Sequence, residues 1–180
     1  MGDFYNSKIT HLFFEPNSEM RLIDQFCFHS NNDSSAITCK TLKQFEFVDS
    51  IRMIGASAFR DVPLEPINNV YELPSNLYSL GTRCFLNAFS SKSAVTIKIS
   101  SSVIVMDYFS FANHDYLPNT GNTIIIGSAN DKSNLDLSKA YYNSTNAQKR
   151  IQFAGFTSIT FYSNIYRDRN DKAYGDYSVA

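Results

Sequence analysis

The sequence predicts a β-rich solenoid (α+β minor), a stack of short parallel strands with an irregular or short helical opposite side. Two observations carry this. A segment recurs at a spacing of 26 residues: Ile54-Gly55-Ala56-Ser57-Ala58-Phe59, then Leu80-Gly81-Thr82-Arg83-Cys84-Phe85, then Met106-Asp107-Tyr108-Phe109-Ser110-Phe111. The residues upstream keep the same spacing, so that Phe47, Leu73 and Ile99 align, as do Ile51, Leu77 and Val103. Self-similarity at this period means that each repeat buries its apolar face only by stacking on its neighbours.

The strand half of each repeat has its own pattern. Ile9-x-x-Leu12-x-Phe14 opens the series and Leu42-x-x-Phe45-x-Phe47 repeats it. Tyr71-x-Leu73, Ile97-x-Ile99 and Thr123-x-Ile125 carry the last two positions, and Phe156-x-x-Ile159-x-Phe161 closes it. Side chains alternate along a strand, so each pair two apart shares the inward face. Six rungs are expected, ending at residues 14, 47, 73, 99, 125 and 161, spaced 33, 26, 26, 26 and 36. The longer first and last intervals imply insertions. The first fits the polar residues 29–35, and the last lies within 127–155, where residues 135–150 are compatible with a helix of irregular apolar spacing. These boundaries give one domain over 1–180, with core repeats 9–126, an insertion 127–155, and a terminal rung and tail 156–180.

The turn half follows from side-chain chemistry. Asp49-Ser50, Ser75-Asn76 and Ser101-Ser102 are good turn formers. Two apolar residues three apart, such as Ile51 and Ile54, then point inward. The next position holds Asp24, Gly55, Gly81 or Asp107. Gly and Asp tolerate positive φ, so the chain is expected to reverse there in a left-handed conformation. The aromatics that follow, Phe28, Phe59, Phe85 and Phe111, are expected to stack in one buried column. Cys84 stands where the other repeats hold Ala58 and Ser110, and reads as a small core thiol.

The unit strand, turn, apolar-x-x-apolar-Gly-x-x-Ala-Phe resembles the BspA-like leucine-rich repeats of bacterial surface proteins. Leu73-Pro74-Ser75-Asn76-Leu77-x-x-Leu80-Gly81-x-x-Cys84-Phe85 is the best copy, and Ile51-x-x-Ile54-Gly55-x-x-Ala58-Phe59 is close to it. The repeats at residues 20–28 and 103–111 hold Asp in place of Gly. The specific resemblance covers residues 42–126, and a looser one extends to 9–165. It implies a right-handed leucine-rich-repeat stack and a role in adhesion or protein–protein contact, as in cell-surface and phage structural proteins. It carries no catalytic residues.

Composition narrows the function classes. The net charge is −1 and the Lys and Arg residues are scattered, which argues against nucleic acid or an anionic membrane as partner. No apolar run approaches the ~20 residues of a membrane span. Residues 1–6 carry no basic region followed by an apolar stretch, so no signal peptide is visible. Either export by a cleaved signal is not expected, or the chain is a piece of something longer. Three widely spaced cysteines, Cys27, Cys39 and Cys84, make neither a disulfide framework nor a zinc pattern.

No nucleotide-binding loop, metalloprotease motif or nucleophile elbow is present. His11, His29 and His114 are far apart in sequence, and Asp168-x-Asn170-x-Lys172 and residues 130–136 fit calcium ligand spacing poorly. No enzymatic activity, cofactor or metal is therefore expected. The outward strand positions are the candidate binding face: Gln44, Val70 and Thr96 in one row, Glu46, Glu72 and Lys98 in the next. Val70 and Ile124 are expected to make that face mildly apolar. Two functions fit: a protein- or glycan-binding module for adhesion at a bacterial cell surface, or a structural subunit of a phage virion or tail packed against neighbouring subunits.

Overall fold

The computed structural model describes residues 4, 7–15, 17–29, 39–91, 93–107, 109–112, 121–135, 153, 156–164 and 178–179. In chain order the strands are β1 (His11–Leu12), β2 (Leu22–Ile23), β3 (Gln44–Phe45), β4 (Met53–Ile54), β5 (Val70–Glu72) and β6 (Ser79–Leu80). They continue as β7 (Thr96–Ile99), β8 (Val105–Met106), β9 (Thr123–Ile126), β10 (Ser158–Phe161) and β11 (Ser178–Val179). Every pairing between these strands is parallel, as a solenoid requires.

The strands form two kinds of sheet. The predicted rungs, joined at the far edge by the unpredicted β11, make a five-stranded sheet in the order β11-β10-β9-β7-β5 and a separate pair, β1-β3. The segments read from sequence as turns make a second, four-stranded sheet, β2-β4-β6-β8. Among the described residues there is no helix, so this second sheet and its turns stand where an irregular or short helical side was expected. The helix compatible with residues 135–150 lies outside the described residues beyond Leu135.

Between β3 and β5 the ladder is interrupted. Glu65 N–H donates to the Lys43 carbonyl (2.6 Å), and the Lys43 ammonium meets the Glu65 carboxylate at 2.9 Å. Leu64 bridges forward to Phe89. Glu65 thus takes up a carbonyl beside β3 that a β3–β5 pairing would have used, while Leu64 bonds to the following repeat.

The fifth rung departs from the expected register by one residue. Thr123 pairs with Thr96, Ile124 with Ile97 and Ile126 with Ile99, a spacing of 27 rather than 26. A slip of one residue exchanges the two faces of a strand. Ile124 and Ile126 are therefore fully buried, while Thr123 and Ile125 face outward, half-buried.

The interior is a column of phenyl rings. Phe59 and Phe85 stack with centroids 5.3 Å apart and planes 4° apart, and Phe85 and Phe111 follow at 5.4 Å and 20°. Phe28 extends the column before Phe59 at 5.0 Å. Two residues outside the repeat pattern continue it: Phe4 on Phe28 at 4.8 Å, and Phe153 on Phe111 at 6.5 Å. Phe153 belongs to the insertion, so that segment returns at least one apolar side chain to the core. Ile51, Ile54, Leu77, Leu80 and Val103 line the column and are fully buried or nearly so. Each buried side chain of this size contributes about 1.5–3 kcal/mol.

The turn after each second-sheet strand corrects the predicted conformation. None of the four predicted positions, Asp24, Gly55, Gly81 and Asp107, adopts positive φ. Positive φ falls two residues later, at Phe26 (57°), Ser57 (54°), Arg83 (57°) and Phe109 (59°), and again at Asp61 (58°) and Asn87 (53°). Ala58 N–H donates to Gly55 and Val62 N–H to Phe59; Cys84 and Ala88 do the same to Gly81 and Phe85. The left-handed residue is the third of each four-residue turn, the φ pattern of type II. At residues 55 and 81 glycine is needed for another reason. A Cβ on Gly55 would lie 2.5 Å from the Gln25 nitrogen, and one on Gly81 2.7 Å from the Ala56 nitrogen. The backbone of the preceding repeat passes too close for any side chain.

These turns form a third ladder. The N–H groups of Phe28, Ser57, Phe59, Asp61, Phe85 and Asn87 donate to Ala58, Thr82, Cys84, Leu86, Ser110 and Ala112 of the following repeat. The backbone polar groups of the turn are thereby satisfied inside the stack.

Candidate functional site

The five-stranded sheet positions the predicted binding residues by register. Val70 is opposite Thr96 and Glu72 opposite Lys98. The first row continues through Thr123 to Ser158, and the second through Ile125 to Thr160. Inward neighbours Tyr71, Ile97, Ile124 and Ile159 are buried, which fixes the outward direction of both rows. The result is two in-register rows crossing four strands, half of whose residues (Thr96, Thr123, Ser158 and Thr160) bear hydroxyls, with Val70 and Ile125 supplying apolar surface.

The Lys98 ammonium donates to the Glu72 carboxylate at 2.5 Å, and both side chains are exposed. Such a pair is worth at most about 1 kcal/mol, so its charges stay available to a partner that replaces the water around them.

Gln44 and Glu46 stand apart from this group. Gln44 pairs with His11 in the β1–β3 sheet. The Glu46 carboxylate accepts the Phe14 N–H at 3.2 Å. The interruption at residues 64–65 separates them from Val70 and Glu72. Of the six residues expected to form one face, the structure brings together Val70, Glu72, Thr96 and Lys98. The outward positions Thr123, Ile125, Ser158 and Thr160 join them. The one-residue slip before β9 hid Thr123 and Ile125, putting Ile124 in their place, whereas Ser158 and Thr160 follow from the predicted inward Ile159 and Phe161 but were not carried into the candidate face.

The other polar groups have structural settings. His11 is exposed, with Nδ1 2.9 Å from the Thr10 hydroxyl. Burial, and then the charge of Arg60, holds the His29 pKa below its usual value. His114 and Asp168-x-Asn170-x-Lys172 lie outside the described residues. Asp131 sits in a tight turn with Ser128, and its carboxylate accepts the Ser101 hydroxyl. Among the described residues no group of three His, Cys, Asp or Glu side chains is placed to hold a metal ion. The buried Asp61 carboxylate meets Arg60 at 3.1 Å and accepts Asn87 Nδ2 at 3.2 Å, tying neighbouring turns together. Cys84 is fully buried, which pushes its thiol pKa far up. Cys39 is raised by burial as well.

Residues 2–85 and 34–160 match the model of the BspA type leucine rich repeat region, in six copies. The chain belongs to the BspA-type leucine-rich repeat family. No curated protein and no solved structure matches the chain. Leucine-rich repeats of this kind are protein-interaction modules and typically non-enzymatic. Among the described residues no helix is long and apolar enough to cross a membrane.

Proposed function

We propose that this chain is a non-enzymatic binding module that contacts another protein, or a surface glycan, through the outward rows of its five-stranded sheet. The observation that carries this reading is the pair of in-register rows headed by Val70 and Glu72. Such rows present one outward side chain per strand at ~4.8 Å intervals, which suits an extended partner lying across the strands. Threonine and serine hydroxyls both donate and accept, and Glu72 and Lys98 add one charge of each sign. The setting that fits is adhesion at a bacterial cell surface as part of a longer protein.

Site-specific photo-crosslinking tests this. A benzophenone amino acid placed at Thr123 should capture the partner from intact surfaces, whereas one placed at Tyr78 on the other sheet should not capture that same partner. With the captured partner purified, the Glu72→Lys and Lys98→Glu variants should each weaken binding by at least about tenfold if their charges are read. Failure to capture any partner from Thr123, or unchanged affinity in both variants, rejects the strand face as the site. Light scattering that shows the isolated chain assembling through this face would favour a structural subunit of a virion or tail instead.

A further inference from the structure

The second sheet carries a feature that the binding reading does not use. Its strands are only two residues long, with Ile23, Ile54, Leu80 and Met106 turned inward. The outward row is Leu22, Met53, Ser79 and Val105, in register from strand to strand. The residues just before each strand form a second outward row, Arg21, Arg52, Tyr78 and Ile104, joined by the hydrogen bonds that open each strand. Leu22 is 51% exposed, Met53 48%, Tyr78 49%, Ile104 42% and Val105 38%. Most of the large apolar side chains exposed among the described residues are therefore gathered on one sheet face. Scattered surface apolar residues need no explanation, but a contiguous group marks a contact site.

We infer that this face is a second docking site, and that its occupant is a short extended segment of another protein bearing apolar side chains followed by carboxylates. Two arguments select that occupant. The first is size. Four strands at ~4.8 Å spacing span only ~14 Å, against the ~800 Å² that each partner buries in a standard interface. A second folded copy would gain too little here, whereas ~4–5 residues of extended chain at ~3.3 Å each match the span. The second is charge. Arg21 and Arg52 are exposed at the β2–β4 end of the row that Tyr78 and Ile104 complete. Neither forms an ion pair among the described residues; the Arg52 guanidinium reaches only the Asn76 carbonyl, at 3.4 Å. Asp24 and Asp107 stand at opposite ends of the neighbouring row, where Gly55 and Gly81 lie between them, so they do not distinguish the two ends. The arginines do. Guanidinium groups favour carboxylates through paired hydrogen bonds, which sets the acidic residues of the segment at the β2–β4 end.

The test is selection of a displayed library of random short peptides on the intact, immobilised chain. Enriched peptides should share apolar residues with Asp or Glu on one side. Their binding should fall at least about tenfold in Met53→Asp and in the Arg21→Glu/Arg52→Glu pair. It should be unaffected by Lys98→Glu on the other sheet, which keeps this result distinct from the strand-face reading. Selection on the Arg21→Glu/Arg52→Glu chain should yield Lys- or Arg-bearing peptides, an outcome that damage to the fold cannot produce. Failure to enrich any peptide, absence of the acidic bias, or equal binding to Met53→Asp overturns the inference. So does a dimer in light scattering that Met53→Asp dissociates, since that would make a second copy the occupant.

Discussion

Replacing Phe85 by Ala tests whether the phenyl column organises the fold. Phe85 is fully buried and stacks between Phe59 at 5.3 Å and Phe111 at 5.4 Å. Phe89 lies parallel to it at 5.3 Å, and the edge of Phe47 approaches at 5.9 Å. Truncating a core phenyl costs about 3–5 kcal/mol, and the value depends on how far the neighbours collapse into the space. Here the flanking rings are fixed by sheets on one side and the turn ladder on the other, which places the expected loss at about 4–5 kcal/mol. That is a large share of the ~5–15 kcal/mol that stabilises an ordinary domain. With a urea m-value of about 2 kcal/mol/M, the midpoint should move down by about 2 M. Phe26→Ala is the control, because Phe26 is 45% exposed and should lose far less. A Phe85→Ala loss below about 1 kcal/mol in urea denaturation would refute the packed column.

Further outcomes follow from the turns and the buried groups. Gly55→Ala and Gly81→Ala should each destabilise by about 1–3 kcal/mol, the range for overpacking, because the added methyl meets backbone of the preceding repeat; melting curves that match the parent chain would show that the repeats are not so closely apposed. Iodoacetamide should modify half-buried Cys27 before Cys39 and Cys84, whose thiol pKa values burial pushes up; equal rates by mass spectrometry would contradict the burial. The folded pKa of His29 lies below its unfolded value, so the unfolded chain takes up a proton first. Stability from this group is complete above about 6.5 and falls as pH drops through that value. His29→Gln should narrow the gap between neutral and mildly acidic melting temperatures, and an unchanged gap counts against this assignment.

The parts of the fold legible in the sequence are those where one physical demand selects one residue type. A buried phenyl column admits little but Phe, so Phe59, Phe85 and Phe111 could be read from spacing alone. Glycine was ambiguous, because positive φ and close backbone approach both call for it, and at Gly55 and Gly81 the second demand is the real one. The signal for the left-handed positions was present elsewhere: Asp61 and Asn87 are 26 residues apart and belong to the types that tolerate that conformation. Two-residue strands such as Met53–Ile54 are too short for alternation to show, so the second sheet was invisible. The candidate face was half legible. Val70, Glu72, Thr96 and Lys98 follow from an unbroken period, while Gln44 and Glu46 share that period across an interruption that numbering does not reveal.

The two sheets divide the surface into faces of different chemistry, and the division follows from strand length. In the longer strands the outward positions alternate with buried ones, so each exposed residue lies between buried neighbours and can be polar without disturbing the core. In the second sheet, two consecutive outward residues separate the inward pair, as Arg52 and Met53 separate Ile51 and Ile54. That spacing leaves two adjacent outward rows with nothing between them, and a solvated face could fill both with charge. This chain instead fills them with Leu22, Met53, Tyr78, Ile104 and Val105 and keeps cations only at one end. The turns on the third side spend their backbone donors on the next repeat. Among the described residues the outward rows of the two sheets thus differ in chemistry, one mixed and largely polar and the other largely apolar with cations at one end.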